Sequence, residues 1–130
     1  MNKSELSVTV ENNVLNLGNE YIVTPNHNVN GFLRFEINID RNFFKNTVLN
    51  CKGKIKSENG SVSIMLNAYN DTEVTTIVSS TAKQNSLYTD FKLDGAFIPE
   101  NCNKLRLQFY NENSIGQNTF SVKDLIISNI

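Results

Sequence analysis

Residues 61–70 read SVSIMLNAYN and alternate along their whole length. As a strand, this stretch points Val62, Ile64, Leu66 and Ala68 to one side and Ser63, Met65, Asn67 and Tyr69 to the other. The first set is a core face. The second mixes hydroxyls, an amide, a thioether and one aromatic ring, which suits either solvent or a neutral polar ligand.

The same period of two recurs on both sides of it. Residues 31–40, GFLRFEINID, set Leu33, Phe35, Ile37 and Ile39 against Phe32, Arg34, Glu36 and Asn38. Residues 47–56 set Leu49, Cys51, Gly53 and Ile55 against Asn50, Lys52, Lys54 and Lys56. Three outward lysines mark a solvent face that resists edge pairing. Gly53 on the inner side leaves room for a bulky neighbour or a bulge. Between these runs and residues 61–70 lies Asn59-Gly60, a hairpin signal, so residues 47–56 and 61–70 are expected to pair antiparallel.

Further along, Leu87, Thr89, Phe91 and Leu93 oppose Tyr88, Asp90, Lys92 and Asp94, and Leu105, Leu107 and Phe109 oppose Arg106, Gln108 and Tyr110. The β-branched run at 73–80 has no legible phase. In the closing run Phe120 and Val122 are in phase, but Leu125 and Ile127 fall one residue late, which predicts a β-bulge around Lys123 and Asp124.

Composition agrees with strands throughout. Asn occurs 22 times and Ala three times; Asn competes with helical backbone bonding, whereas the β-branched and aromatic residues fit a pleated surface. About eight to nine strands separated by polar turns, in 130 residues that are 39% hydrophobic, define one all-β domain over residues 1–130, an antiparallel β-sandwich.

Charge narrows the partners. Lys plus Arg number 12 and Asp plus Glu 13, so no strong field draws nucleic acid or anionic lipid. The lysine row has no aromatic among it, which argues against a nucleic-acid face. The start, MNKSELSVTV, lacks the apolar stretch of a secretory signal, and no run is long enough to span a bilayer, so a soluble chain is expected, on its own or as part of a longer protein.

Catalytic chemistry is not signalled. His27 sits in a turn-like NHNVNG segment with no ligand spacing around it. Cys51, in phase with Leu49 and Ile55, reads as a buried thiol, and a disulfide with Cys102 requires the two to meet in space. A glycosidase pair of Asp90 with Glu36 or Asp124 requires carboxylates roughly 5 to 9 Å apart. No cofactor is called for, and no acidic cluster indicates a structural calcium ion.

The order GFLRFEINI, CKGKIKS, SVSIMLNAYND, SLYTDFKL, P-x-NCNKLRLQFY, FSVKDLIIS resembles the β-jelly-roll carbohydrate-binding modules, galactose-binding-like sandwiches also found on phage tail and host-recognition proteins. The resemblance covers about Gly31 to Ser128. Its most specific part is the closing pattern of Phe120, Val122, Asp124, Leu125 and Ile127. It implies a jelly roll and a non-catalytic module that recognises a cell-surface or wall glycan, virion-associated in the phage case.

Such modules often stack sugars on tryptophan, and this chain has none. A stacking surface then falls to Tyr69, Tyr88, Tyr110, Phe32 or Tyr21. A pyranose presents apolar C–H faces and a rim of hydroxyls, and Met65, Asn67, Tyr69, Tyr88, Asp90, Arg106, Gln108 and Tyr110 supply matching types on three strands. Exposed tyrosine, methionine and arginine also serve protein interfaces, so a structural or oligomerising virion subunit, contacting other virion proteins or copies of itself, stands as the alternative.

Overall fold

The computed structural model describes residues 3–9, 14–17, 19–24, 32–38, 48–70, 73–98, 102, 104–112 and 118–129. Ten strands are present among them: β1 (Lys3–Thr9), β2 (Val14–Leu17), β3 (Tyr21–Val23), β4 (Phe32–Asn38), β5 (Val48–Ser57), β6 (Val62–Asn70), β7 (Glu73–Ala82), β8 (Asn85–Phe97), β9 (Lys104–Asn111) and β10 (Phe120–Asn129). They form two sheets, one ordered β1-β4-β9-β6-β7 and the other β2-β10-β5-β8, with β3 also paired to β10. The result is the expected all-β jelly-roll sandwich. Every pairing is antiparallel except β1 with β4, which run parallel.

The alternating runs bury the residues their period assigns. Leu33, Phe35 and Ile37 of β4, Leu105, Leu107 and Phe109 of β9, and Val62, Ile64 and Leu66 of β6 face Leu49, Cys51 and Ile55 of β5, Phe91 and Leu93 of β8, and Phe120, Val122, Leu125 and Ile127 of β10. Phe91 meets Phe109 edge to face across the two sheets, with centroids 5.7 Å apart.

The hairpin expectation fails. β5 and β6 are consecutive but lie in different sheets, and residues 58–61 carry the chain from one sheet to the other over the end of the core. Both strands own a complete apolar face, and placing them in opposed sheets buries those faces within one core. The corner is held from β10's side: Asn118, fully buried, accepts from the Asn59 amide at 2.8 Å and donates to Ser57 Oγ at 2.8 Å. Glu58 N donates to Thr119 O at 3.0 Å, and Ser57 Oγ donates to Gly60 O. A local turn preference is overridden by these long-range bonds. It follows that the lysines of β5 lie on a central strand, between β10 and β8, and guard no edge.

Bulges account for the other irregular phases. Between β10 and β5 the register shifts from Lys123↔Lys54 to Ile126↔Lys52, so Asp124 and Leu125 face Gly53 alone, and Asp124 has φ 55°. The predicted bulge is therefore present. An added Cβ on Gly53 would lie 2.8 Å from Leu125 Cδ2 and 2.9 Å from Phe91 Cε1, so glycine admits the bulky neighbours there.

In β7 the register steps from Leu66↔Val78 to Asn67↔Thr76, leaving Ile77 extra; this is why residues 73–80 show no single phase. In β8, residues 86–88 stand opposite Lys56 alone, and Leu87, expected inside, is 73% exposed. The strand also continues past Asp94 through a second bulge at Gly95, φ 75°, to Phe97.

Both cysteines are buried and free, so no disulfide joins them. Burial pushes the Cys51 thiol up to about 12. His27 lies outside the described residues.

Candidate functional site: the outer face of the β4-β9-β6-β7 sheet

The strand order, which the sequence does not disclose, brings three outer faces side by side. Across β4, β9 and β6 the registers run Phe32↔Tyr110↔Ser63, Arg34↔Gln108↔Met65, Glu36↔Arg106↔Asn67 and Asn38↔Lys104↔Tyr69. β7 adds Thr81, Ser79, Thr76 and Val74 opposite Ser63, Met65, Asn67 and Tyr69. Alternation dictates which residues of each strand point outward; pairing decides which of them touch.

A chain of hydrogen bonds crosses the face. Arg34 donates to the Tyr110 hydroxyl at 2.8 Å, which donates to Gln108 Oε1 at 2.5 Å. Gln108 Nε2 donates to the Tyr69 hydroxyl at 3.4 Å, and Arg106 donates to the same oxygen at 3.2 Å. Arg106 then pairs with Glu36 at 3.1 Å, and Lys104 reaches the other carboxylate oxygen of Glu36 at 3.1 Å. Two tyrosine hydroxyls therefore converge on one buried glutamine. The Tyr69 hydroxyl accepts twice, which leaves its own proton to donate.

The rings lie against cations and each other. The Arg106 guanidinium is 4.4 Å from the Tyr69 ring centroid, and Arg34 is 5.0 Å from that of Phe32. Phe32 and Tyr110 are 5.6 Å apart and tilted by 31°. Two of the outward residues, Asn67 and Gln108, are 6% and 3% exposed, because the longer side chains around them cover them. Asn67 Oδ1 is buried with no hydrogen-bond partner. Burial alone would raise the Glu36 carboxyl, but the hydrogen bonds and charges of Lys104 and Arg106 outweigh it and hold the group below its ordinary 4.5. The face is thus polar, braced and charge-compensated at Glu36.

Of the sequence-designated residues, Met65, Asn67, Tyr69, Arg106, Gln108 and Tyr110 come together here. Tyr88 and Asp90 do not: they belong to β8 in the other sheet and lie on its outer surface. Tyr88 donates to Glu20 at 2.5 Å and is flanked by Lys56 and Lys123, 4.9 and 4.2 Å from its centroid; Asp90 pairs with Lys54 at 2.8 Å.

Tyr21 is also no stacking candidate, since its ring packs edge-on against core Phe35 at 5.1 Å. Glu36 and Asp90 occupy outer faces of opposed sheets, which stand about 10 Å apart, so this pair cannot reach glycosidase spacing. Phe32, a stacking candidate from the sequence, joins the site on β4. Arg34 and Glu36, which the alternation of β4 sets on one face with Phe32, join it as well, and so does Lys104, which the sequence did not single out; what was missing was the strand beside β4.

Among the described residues no group of three or more His, Cys, Asp or Glu side chains converges as a metal site, and no helix is long and apolar enough to cross a membrane.

The fold and this face define a class: jelly-roll β-sandwiches with a polar and aromatic outer sheet surface. Solved structures that share the fold superpose on the chain. A CBM4 module matches with a TM-score of 0.64 at 12% identity, over 85% of this chain and 71% of that one. A family 29 carbohydrate-binding module matches at 0.60 and 17% identity, over 91% and 79%. A point variant of a family 29 module, complexed with cellulohexaose, matches at 0.58 and 19% identity, over 91% and 81%. These likenesses establish the fold. No protein-family model and no curated protein sequence matches the chain.

Proposed function

We propose that the chain is a non-catalytic carbohydrate-binding module that takes a cell-surface or wall glycan on the outer face of the β4-β9-β6-β7 sheet. The observation that carries this reading is the hydrogen-bonded row from Tyr110 through Gln108 and Tyr69 to Arg106 and Glu36, with a tyrosine ring at each end of the Gln108 bridge. Aromatic surface for C–H faces and fixed donors and acceptors for hydroxyls are what saccharide recognition needs. The unmatched Asn67 Oδ1 adds support, because a buried orphan acceptor costs about 1–3 kcal/mol, and a ligand hydroxyl or a water reaching it would recover part of that. Structural likeness to carbohydrate-binding modules points the same way. The finer assignment, to a virion host-recognition structure, rests on the sequence resemblance alone.

Titration against a panel of neutral wall and plant oligosaccharides tests the proposal. Saturable binding is expected, weakened at least about tenfold by Tyr69→Ala, or about 1.4 kcal/mol. Uniform silence across the panel, or binding that Tyr69→Ala leaves unchanged, overturns it.

Val74 and Leu87, 54% and 73% exposed on β7 and β8, the end strands of the two sheets, favour a second reading as a structural subunit that contacts other chains. Light scattering over a wide concentration range separates the two, and a persistent monomer removes self-association.

A further inference from the structure

The opposite sheet carries a second feature that the glycan reading does not use. Where the ladder between β5 and β10 is interrupted by the bulge, a depression of about 350 Å³ opens on the outer surface. Two rows of side chains border it. One is Ile126, Lys52 and Lys92, set directly opposite one another across β10, β5 and β8. The other is Asp124, Lys54 and Asp90, in which Lys54 is bonded to Asp90 at 2.8 Å.

The charges of the rows differ in kind. In the second row one cation lies between two carboxylates. In the first, two exposed lysines face each other across adjacent strands, which is destabilising by itself. Asp90, bonded to Lys54, also acts on Lys92, but the three lysines at the depression outnumber its two carboxylates. Beside them Ile126 supplies apolar surface. One side of the depression therefore favours an anion, and the other offers carboxylate acceptors that repel a bare anion but accept from hydroxyls. A small inorganic ion satisfies only the first half; a hydroxylated carboxylic acid satisfies both.

We propose that this depression is a second binding site, for an acidic sugar unit of the hexuronate type. Its carboxylate sits between Lys52 and Lys92, its hydroxyls donate to Asp90 and Asp124, and its C–H face lies on Ile126. The site is on the sheet opposite the proposed glycan face and stands independently of it.

Amide chemical shifts of the isotopically labelled full chain, titrated separately with sodium glucuronate, glucose and sodium sulfate, test this. Glucuronate is expected to shift residues around Lys52, Lys92 and Ile126 saturably, at least tenfold more tightly than glucose or sulfate. The double variant Lys52→Gln with Lys92→Gln, at exposed positions where folding is checked by unchanged shifts elsewhere, is expected to abolish the effect, and Tyr69→Ala to leave it intact. Sulfate binding as tightly as glucuronate, unsaturable shifts, or an undiminished response in the lysine variant overturns the proposal.

Discussion

Single residues take on roles here that their neighbours in space decide. Tyr88 is the clearest: its outward position is legible from the alternation of residues 87–94, but its surroundings are contributed by β3's flank, β5 and β10. Partial burial, and then the hydrogen bond to and charge of Glu20, raise its hydroxyl from 10.0 to about 12. A raised folded-state value means that the contribution is whole below pH 10 and is lost as pH climbs from about 10 through about 12. Tyr88→Phe is therefore expected to flatten the alkaline arm of a melting-temperature profile between those values. An unchanged slope in the variant would contradict the assignment. Glu36 has the opposite sign: its value is depressed, so what it contributes is present above 4.5 and fades as pH falls through the lower folded value.

At the scale of elements, the bulges decide which faces survive along a strand. The step in β10 was visible in sequence because Phe120 and Val122 stand two apart and Leu125 follows at three, a slip that only an extra residue reconciles with one continuous core face. Its conformational signature was not visible: Asp124 occupies the left-handed region at φ 55°. Asparagine, aspartate and glycine tolerate that region, whereas a β-branched residue incurs roughly 1–2 kcal/mol. Chemical denaturation should accordingly show Asp124→Val less stable than Asp124→Gly by about that amount. Equal stabilities would mean that the bulge relaxes on substitution. The turn at Asn59-Gly60 teaches the reverse lesson, since its residues suit a hairpin and the chain uses them for a corner between sheets, clamped by Asn118.

For the whole molecule, the core is closed around Cys51, which is 0% exposed and whose thiol is held near 12, while Cys102 is 4% exposed. Because the thiolate is the reactive form, neither burial nor protonation leaves Cys51 open to alkylation in the folded state. Its modification by a thiol reagent should therefore track global unfolding, rising with denaturant along the same transition as the far-ultraviolet signal, and the unfolded chain should titrate two thiols. Rapid labelling of Cys51 under native conditions would show a local opening of β5 that the packing does not predict.

What the sequence by itself determined is the content of each strand: the period of two assigns Leu33, Ile64, Leu107 and Val122 inward and Tyr69, Arg106 and Gln108 outward, because successive side chains of an extended backbone must point to opposite sides. That sufficed for the sandwich, for one bulge and for six of the eight designated residues, which lie together on one face. What only the tertiary structure decided is adjacency. Backbone hydrogen bonds are the same for any partner strand, so nothing in residues 61–70 says that β9 rather than β5 lies beside them. That choice separated Tyr88 and Asp90 from the site, drew Glu36 and Arg34 into it, and set Lys52 against Lys92 on the far side.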